Sequence, residues 1–239
     1  MSGASSTDPR ARRPIFDPET VPHDPAFADL ATRGPAIEPQ RLRAHALRNR
    51  FAAPPSWEPE IRADARLFNP DEPPRPASVL VPLVVRGDDV NVLLTQRTDH
   101  LHDHAGQISF PGGRVEEGDT DVIATALRES EEEIGLAATL IDVLGMFPEY
   151  LTATGYRVTP VIGMVERPFT LMLDDFEVSE AFEVPLSFLM NPANHERRIY
   201  RFGELSRTFY AMPYQLRRRY FIWGATASML RNLYQFLRA

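Results

Sequence analysis

The sequence predicts a mixed α+β sandwich. Three observations lead there: short apolar runs bounded by turn residues, two separated stretches of helical apolar spacing, and a Pro-rich start that shows neither pattern. Of the 22 prolines, 14 fall in residues 1–76, and residues 1–36 have little apolar periodicity. Residues 1–36 are therefore expected to form a tail with no fold of its own. Within 37–76, Leu42, Ala46, Leu47 and Phe51 stand at helical spacing. They predict one amphipathic helix over Glu38–Phe51, and the stretch Pro54–Pro76 then reads as an extended connector.

From residue 77 to 239 the pattern is that of one domain. Ser78–Val85 and Asn91–Gln96 are apolar runs joined by the turn Arg86-Gly87-Asp88-Asp89, which predicts a hairpin. A loop with Gly106 and Pro111-Gly112-Gly113 follows. Thr120–Ile134 has Val122, Ala126, Leu127 and Ile134 near helical spacing and stops at Gly135, a candidate C-cap. Further strands are expected at Leu140–Phe147, Tyr156–Val165, Arg197–Phe202, Thr208–Met212 and Arg219–Ile222, with Gly203-Glu204 as a turn. Ile222, Thr226, Met229, Leu230, Leu233 and Leu237 mark a closing helix.

Composition narrows the chemistry. With 43% hydrophobic and 25% charged residues in 239, the chain has the make-up of a soluble globular protein. Its 26 basic residues are all arginine, and 33 acidic residues leave a net charge of -7, so nonspecific nucleic-acid binding is not expected. The absence of cysteine excludes disulfides, thiol catalysis and thiolate metal clusters, which leaves oxygen or histidine to hold any metal. The longest apolar stretch, Val79–Val85, is broken by Pro82 and falls far short of the roughly 18 residues of a spanning helix. Met1–Phe16 has no apolar run of a secretory signal. A cytoplasmic location with no membrane partner is the expectation.

Glu129, Glu132 and Glu133 lie at i, i+3 and i+4, on one face of the acidic helix. Like charges so placed repel unless water screens them or a cation sits among them. The set is either a solvated surface face or a group of hard oxygen ligands suited to Mg²⁺ or Mn²⁺. Gly112-Gly113 upstream is a tight turn through which backbone can approach an anion, or a plain hairpin turn.

Gly113, Asp119, Arg128-Glu129, Glu132-Glu133 and Gly135-Leu136 resemble the box of the Nudix hydrolases, G-x5-E-x7-R-E-U-x-E-E-x-G-U, where U is a bulky apolar residue. Asp119 replaces a glutamate, eight rather than seven residues separate it from Arg128, and Ser130 replaces the apolar residue. Leu93-Leu94-Thr95-Gln96-Arg97-Thr98, Leu101, Gly106 and Phe110-Pro111-Gly112-Gly113 look like the extended motif of the coenzyme A pyrophosphatase branch, which shares the longer, Asp-containing box. The similarity continues through Thr154–Pro160, Glu180–Leu186 and Ile222–Ala227. His102 departs from it, standing where the branch usually has arginine.

The resemblance implies a Nudix-type α/β/α sandwich with a mixed sheet, Mg²⁺ or Mn²⁺ as cofactor, and CoA or acyl-CoA as small-molecule substrate. It implies metal ligation by Glu129, Glu132 and Glu133. Glu132, Glu133, Arg128 and Glu180 become candidate catalytic residues, and Arg97, Gly106, Phe110, Gly112 and Gly113 candidate substrate contacts. Arg128 is expected to orient a carboxylate through a bidentate pair. Asp119 fits a helix N-cap. Arg97 reads equally as a phosphate contact or a structural ion pair. Glu180 and Glu183 are expected in a loop before Val184-Pro185, as an extra carboxylate or as surface charge. His102 and His104 read as a solvated loop, Trp223, Phe209, Tyr210, Tyr214 and Tyr220 as packing, and Arg217–Arg219 as a solvated strand edge. A homodimer is left open. Two rivals are a Nudix hydrolase of another substrate and a noncatalytic nucleotide-binding module.

Overall fold

The structure is a computed structural model that describes residues 17–29, 33–64, 72–98, 106–202 and 205–239. His102, His104, Leu101 and the Gly203-Glu204 turn lie outside the described residues. An eight-stranded mixed sheet forms the centre. Its strands are β1 (Arg75–Arg86), β2 (Asp89–Arg97), β3 (Ile108–Ser109), β4 (Gly112–Arg114), β5 (Ile141–Met146), β6 (Tyr150–Leu151), β7 (Tyr156–Val165) and β8 (Val178–Pro185). The order is β3-β2-β1-β7-β5, with β4 on β1, β6 on β7 and β8 on β2. β1 runs parallel to β7 from Arg75↔Tyr156 to Val84↔Val165 and antiparallel to β2 and β4.

Successive side chains of a strand point to opposite faces, and the core divides accordingly. Leu80, Val84, Leu93, Val161 and Val165 pack against α2 (Val122–Ile134). Val81, Leu83, Val92, Leu94, Ile162 and Met164 face the other way, against α1 (Ala44–Ala52), α3 (Leu186–Leu189) and α4 (Gly224–Arg238). A three-stranded antiparallel sheet of β9 (Glu196–Phe202), β10 (Leu205–Gln215) and β11 (Arg219–Trp223) leads into α4. The result is the α/β/α sandwich the sequence implied.

Two helix ends follow from single residues. Asp121, not Asp119, caps α2 by accepting from Ala124 N at 2.8 Å. Gly135 ends it in the left-handed region at φ 69°, with its N–H on Glu131 O and Leu136 N–H on Ser130 O. Ser130 is fully buried, and its hydroxyl donates to Ala126 O at 2.7 Å, so the substitution for an apolar residue leaves no polar atom unsatisfied.

The N-terminal region departs from expectation. Within the tail expected over 1–36, residues 17–28 form two 3-10 turns capped by Asp17 and Asp24. They bond to β9 through Asp24 N–Arg197 O (2.7 Å) and Ile199 N–Pro22 O (2.9 Å). Val21 and Phe27 are buried, and Phe27 meets Tyr210 edge-on at 5.4 Å. Two apolar anchors on a proline-fixed backbone suffice here without helical or strand periodicity. The helix expected over Glu38–Phe51 is split: a 3-10 turn Pro39–Leu42 precedes α1, and Arg43 between them is extended. Phe51 and Trp57 close an aromatic cluster with Phe147 and Phe236. Among the described residues no helix is long and apolar enough to cross a membrane.

Candidate active site

β1, β4, α2 and the turn after β6 enclose a cleft of about 630 Å³. Arg97, Phe110, Gly112, Gly113, Glu129 and Glu133 all line it. Gly112 sits at φ 154°, and a Cβ there would lie 2.4 Å from Ser78 O. A Cβ on Gly113 would lie 2.3 Å from a Glu129 carboxylate oxygen. Glycine at both positions lets β4 run against β1 on one side and receive the helix carboxylates on the other. Gly112 N–H donates to Glu133 Oε2 at 3.1 Å.

Arg128 organises the rim. Its Nε and Nη2 donate in parallel to Asp119 Oδ1 and Oδ2 at 2.9 and 3.0 Å, and Nη2 also reaches Arg114 O. Asp119 further accepts from Glu116 N and Thr125 Oγ1, and the bond from Arg128 holds its carboxyl well below the usual range. The remaining Nη1 contacts Glu132 at 2.8 Å and Glu129 at 3.1 Å. The bidentate partner of Arg128 is thus Asp119, which serves as its anchor rather than as the helix cap.

Electrostatics distinguish the glutamates. Burial pushes the Glu133 carboxyl up to about 8, and the charges of Glu129 and Glu177 add to the rise. The Gly112 N–H and Arg97, 3.6 Å away, oppose it. Burial also raises Glu129, which Arg128 partly offsets. Glu132 is different: its side chain is 60% exposed and turned to Arg128. The three-carboxylate convergence expected from helical spacing is therefore not formed, and among the described residues no three His, Asp or Glu side chains stand grouped as a metal cage. Arg128 draws Glu132 aside.

Two expected site residues lie elsewhere. Glu180 is on strand β8, not in a loop, and its carboxylate accepts from Tyr220 Oη at 2.8 Å and from Arg218. Glu183, on the same strand, binds Arg86 and Asn91. Gly106 lines a smaller neighbouring pocket of about 290 Å³ with Arg218, Arg219 and Tyr220, and its carbonyl accepts from Gln96 Nε2. In place of Glu180 the structure brings Glu177 to the cleft, 4.0 Å from Arg97 Nη2. Asp64, Thr152, Thr154 and Tyr156 also line it. Thr154 and Tyr156 fall in the stretch of similarity that begins at Thr154, whereas Asp64, Thr152 and Glu177 reach the cleft only through tertiary packing. Trp223 packs edge-on against Phe209 at 5.4 Å and also borders the cleft.

A glycine strand facing the helix carboxylates Glu129 and Glu133, with an arginine at the wall, suits a cation-assisted reaction on an anionic substrate. A NUDIX domain model matches residues 74–205. Proteins of Escherichia coli O7:K1 and Shigella boydii serotype 4, each described as an uncharacterized Nudix hydrolase, NudL, are 42% identical over 160 residues, or 66% of this chain and 81% of theirs. A Caenorhabditis elegans Ap4A hydrolase structure is similar at 20% identity and a TM-score of 0.41, over 46% of this chain and 80% of that one. The chain belongs to the Nudix family.

Proposed function

We propose that the chain hydrolyses the diphosphate of coenzyme A or an acyl-CoA, giving 4′-phosphopantetheine or its acyl form and adenosine 3′,5′-bisphosphate. The observation that carries this is Arg97. It ends the segment Leu93–Arg97 that resembles the coenzyme A branch, and it lines the same cleft as Glu129 and Glu133. A guanidinium in that cleft suits a phosphoryl oxygen.

The donor set fits Mg²⁺ or Mn²⁺: every candidate ligand is a carboxylate oxygen, and Glu133 sits beside Glu129 and Glu177 with too little positive charge to hold it ionised. Glu129 and Glu133 would hold the metal, and the exposed Glu132, now paired with Arg128, would be a further ligand within reach on the same helix. A divalent metal held there would supply neutralisation of phosphoryl charge and an activated water. Arg128, anchored by Asp119, fixes where Glu129 points. Gly112 N–H keeps Glu133 oriented. Arg97 holds the diphosphate in place. A carboxylate of this set takes the proton of the attacking water as the bridging P–O bond breaks.

Hydrolysis of CoA, acyl-CoA, ADP-ribose, NADH and diadenosine polyphosphates, with and without Mg²⁺, tests the proposal. The expected result is metal-dependent release of adenosine 3′,5′-bisphosphate from CoA with the highest kcat/KM of the panel. Efficient cleavage of ADP-ribose or a dinucleotide without that product assigns another Nudix substrate. Binding with no cleavage of any substrate assigns a noncatalytic module.

A further inference from the structure

Four described arginines line the cleft and its smaller neighbour, and three of them carry carboxylate partners: Arg97 lies 3.6 Å from Glu133, Arg219 lies 3.2 Å from Glu19, and Arg218 meets Glu180. Arg114 has none among the described residues. Its Nε donates to Tyr156 Oη at 2.9 Å, and its guanidinium carbon lies 5.4 Å from the centre of the Tyr156 ring. Both Nη groups stay available as donors, and the tyrosine oxygen, which accepts in this bond, keeps its own hydrogen to donate.

Strand register sets this pair apart from the helix carboxylates. Ala77 of β1 stands opposite both Arg114 of β4 and Val158 of β7, and Arg75 stands opposite Tyr156 two residues earlier. Because side chains alternate between faces, Arg75, Ala77, Arg114, Tyr156 and Val158 share one face of the sheet. Gly113 turns to the other, where Glu129 stands. The short Ala77 lets Arg114 reach across β1 to Tyr156. Arg75 adds a second positive charge at that ring: its guanidinium carbon is 4.3 Å from the ring centre, and it ties down the adjoining turn through Thr154 O (3.4 Å) and, from its backbone N–H, Gly155 O (2.9 Å). Two further carboxylates line the cleft: Asp64 accepts from Ala153 N at 3.1 Å and from Tyr150 Oη, and the exposed Glu116 pairs with neither arginine. Two guanidinium groups without acidic partners among the described residues, beside a hydroxyl hydrogen, suit a dianion.

We propose that Arg114, together with the Tyr156 hydroxyl and the charge of Arg75, binds a phosphomonoester that the substrate carries besides its diphosphate. This rests on the diphosphate hydrolysis proposed above. The diphosphate meets Arg97 and the helix carboxylates on one face of β4, and the second anion, one ribose away, meets Arg114 on the other. The substrate class is thereby narrowed to nucleoside diphosphate derivatives phosphorylated on the ribose.

The test compares wild type, Arg114→Gln and Arg114→Lys in two ways: hydrolysis of CoA against dephospho-coenzyme A, and calorimetric binding of adenosine 3′,5′-bisphosphate against AMP. Each pair differs only in the phosphomonoester. Wild type is expected to bind the bisphosphate about 10-fold or more tightly than AMP, and Arg114→Gln to bind the two alike. Arg114→Gln is expected to raise KM for CoA about 10-fold, with kcat within about 3-fold and dephospho-coenzyme A kinetics within about 2-fold. Arg114→Lys keeps the charge but not the forked donors and is expected to fall between. Should the glutamine variant fail to fold, Tyr156→Phe carries the same comparison with a smaller loss. A wild type without preference for the bisphosphate, a preference that survives in Arg114→Gln, or equal losses on both substrates overturns the proposal. A wild type that cleaves neither substrate overturns the hydrolysis proposed above, and the binding comparison still decides the subsite.

Discussion

Two arginines meet carboxylates beside the same helix with opposite results. Arg128 and Asp119 form two parallel bonds at 2.9 and 3.0 Å, two further donors reach Asp119, and its carboxyl is held low. Arg97 stops 3.6 Å from Glu133, one backbone N–H is the direct bond given to that carboxylate, and its carboxyl rises to about 8. The chemistry of the two pairs is alike; the degree of compensation is not. A carboxylate with all its bonds made is scaffold, whereas one buried and short of positive charge is a place for a cation.

The comparison is tested most severely by Glu133→Gln. Turnover should fall by about 10²–10⁴-fold with the fold intact, because a ligand is lost without a change of shape. Steady-state kinetics with circular dichroism check this, and near wild-type rates at saturating Mg²⁺ break the contrast. Next in size is Arg128→Ala, which strands the buried Asp119 and should cost about 2–4 kcal/mol of stability in urea unfolding. Arg97→Ala should unfold at nearly the wild-type urea concentration, yet lose about 1–3 kcal/mol in kcat/KM. If Arg97→Ala destabilises as much as Arg128→Ala, both pairs are scaffold. Smallest is Glu180→Gln, whose turnover should stay within about 2-fold, since its carboxylate is tied to Tyr220 and Arg218. A loss matching that of Glu133→Gln would return Glu180 to the reaction.

What was legible in the sequence lay within single elements. Helix α2 and its glycine stop follow from local spacing, and so does the hairpin of β1 with β2; Gly112 and Gly113, read as a turn, instead open strand β4 against β1. Arg128 was legible as a clamp but not its partner, because Asp119 lies across a turn and Asp121 takes the cap. Strand β8 was hidden by Glu180 and Glu183, whose partners Arg218, Tyr220, Arg86 and Asn91 come from other elements. Glu177 and Asp64 reach the cleft through tertiary packing, which periodicity does not report. The turns over 17–28 were illegible for the same reason: Val21 and Phe27 are buried by β9 and β10 rather than by any pattern of their own.

The most direct measurement is divalent-metal binding by calorimetry as a function of pH, on wild type and Glu133→Gln, beside thermal unfolding in chelator. A carboxyl raised to about 8 must release its proton to bind a cation, so Mn²⁺ or Mg²⁺ affinity should rise between about pH 6 and 8. In chelator the folded state keeps a proton that the unfolded chain, with a carboxyl near 4.5, gives up. Stability should therefore fall as pH rises through that interval to about 8, and saturating metal should restore it. Glu133→Gln should bind metal weakly and show neither pH slope. Metal affinity that is independent of pH and unchanged in Glu133→Gln would contradict the assignment of Glu133 as the under-compensated carboxylate at the centre of the site.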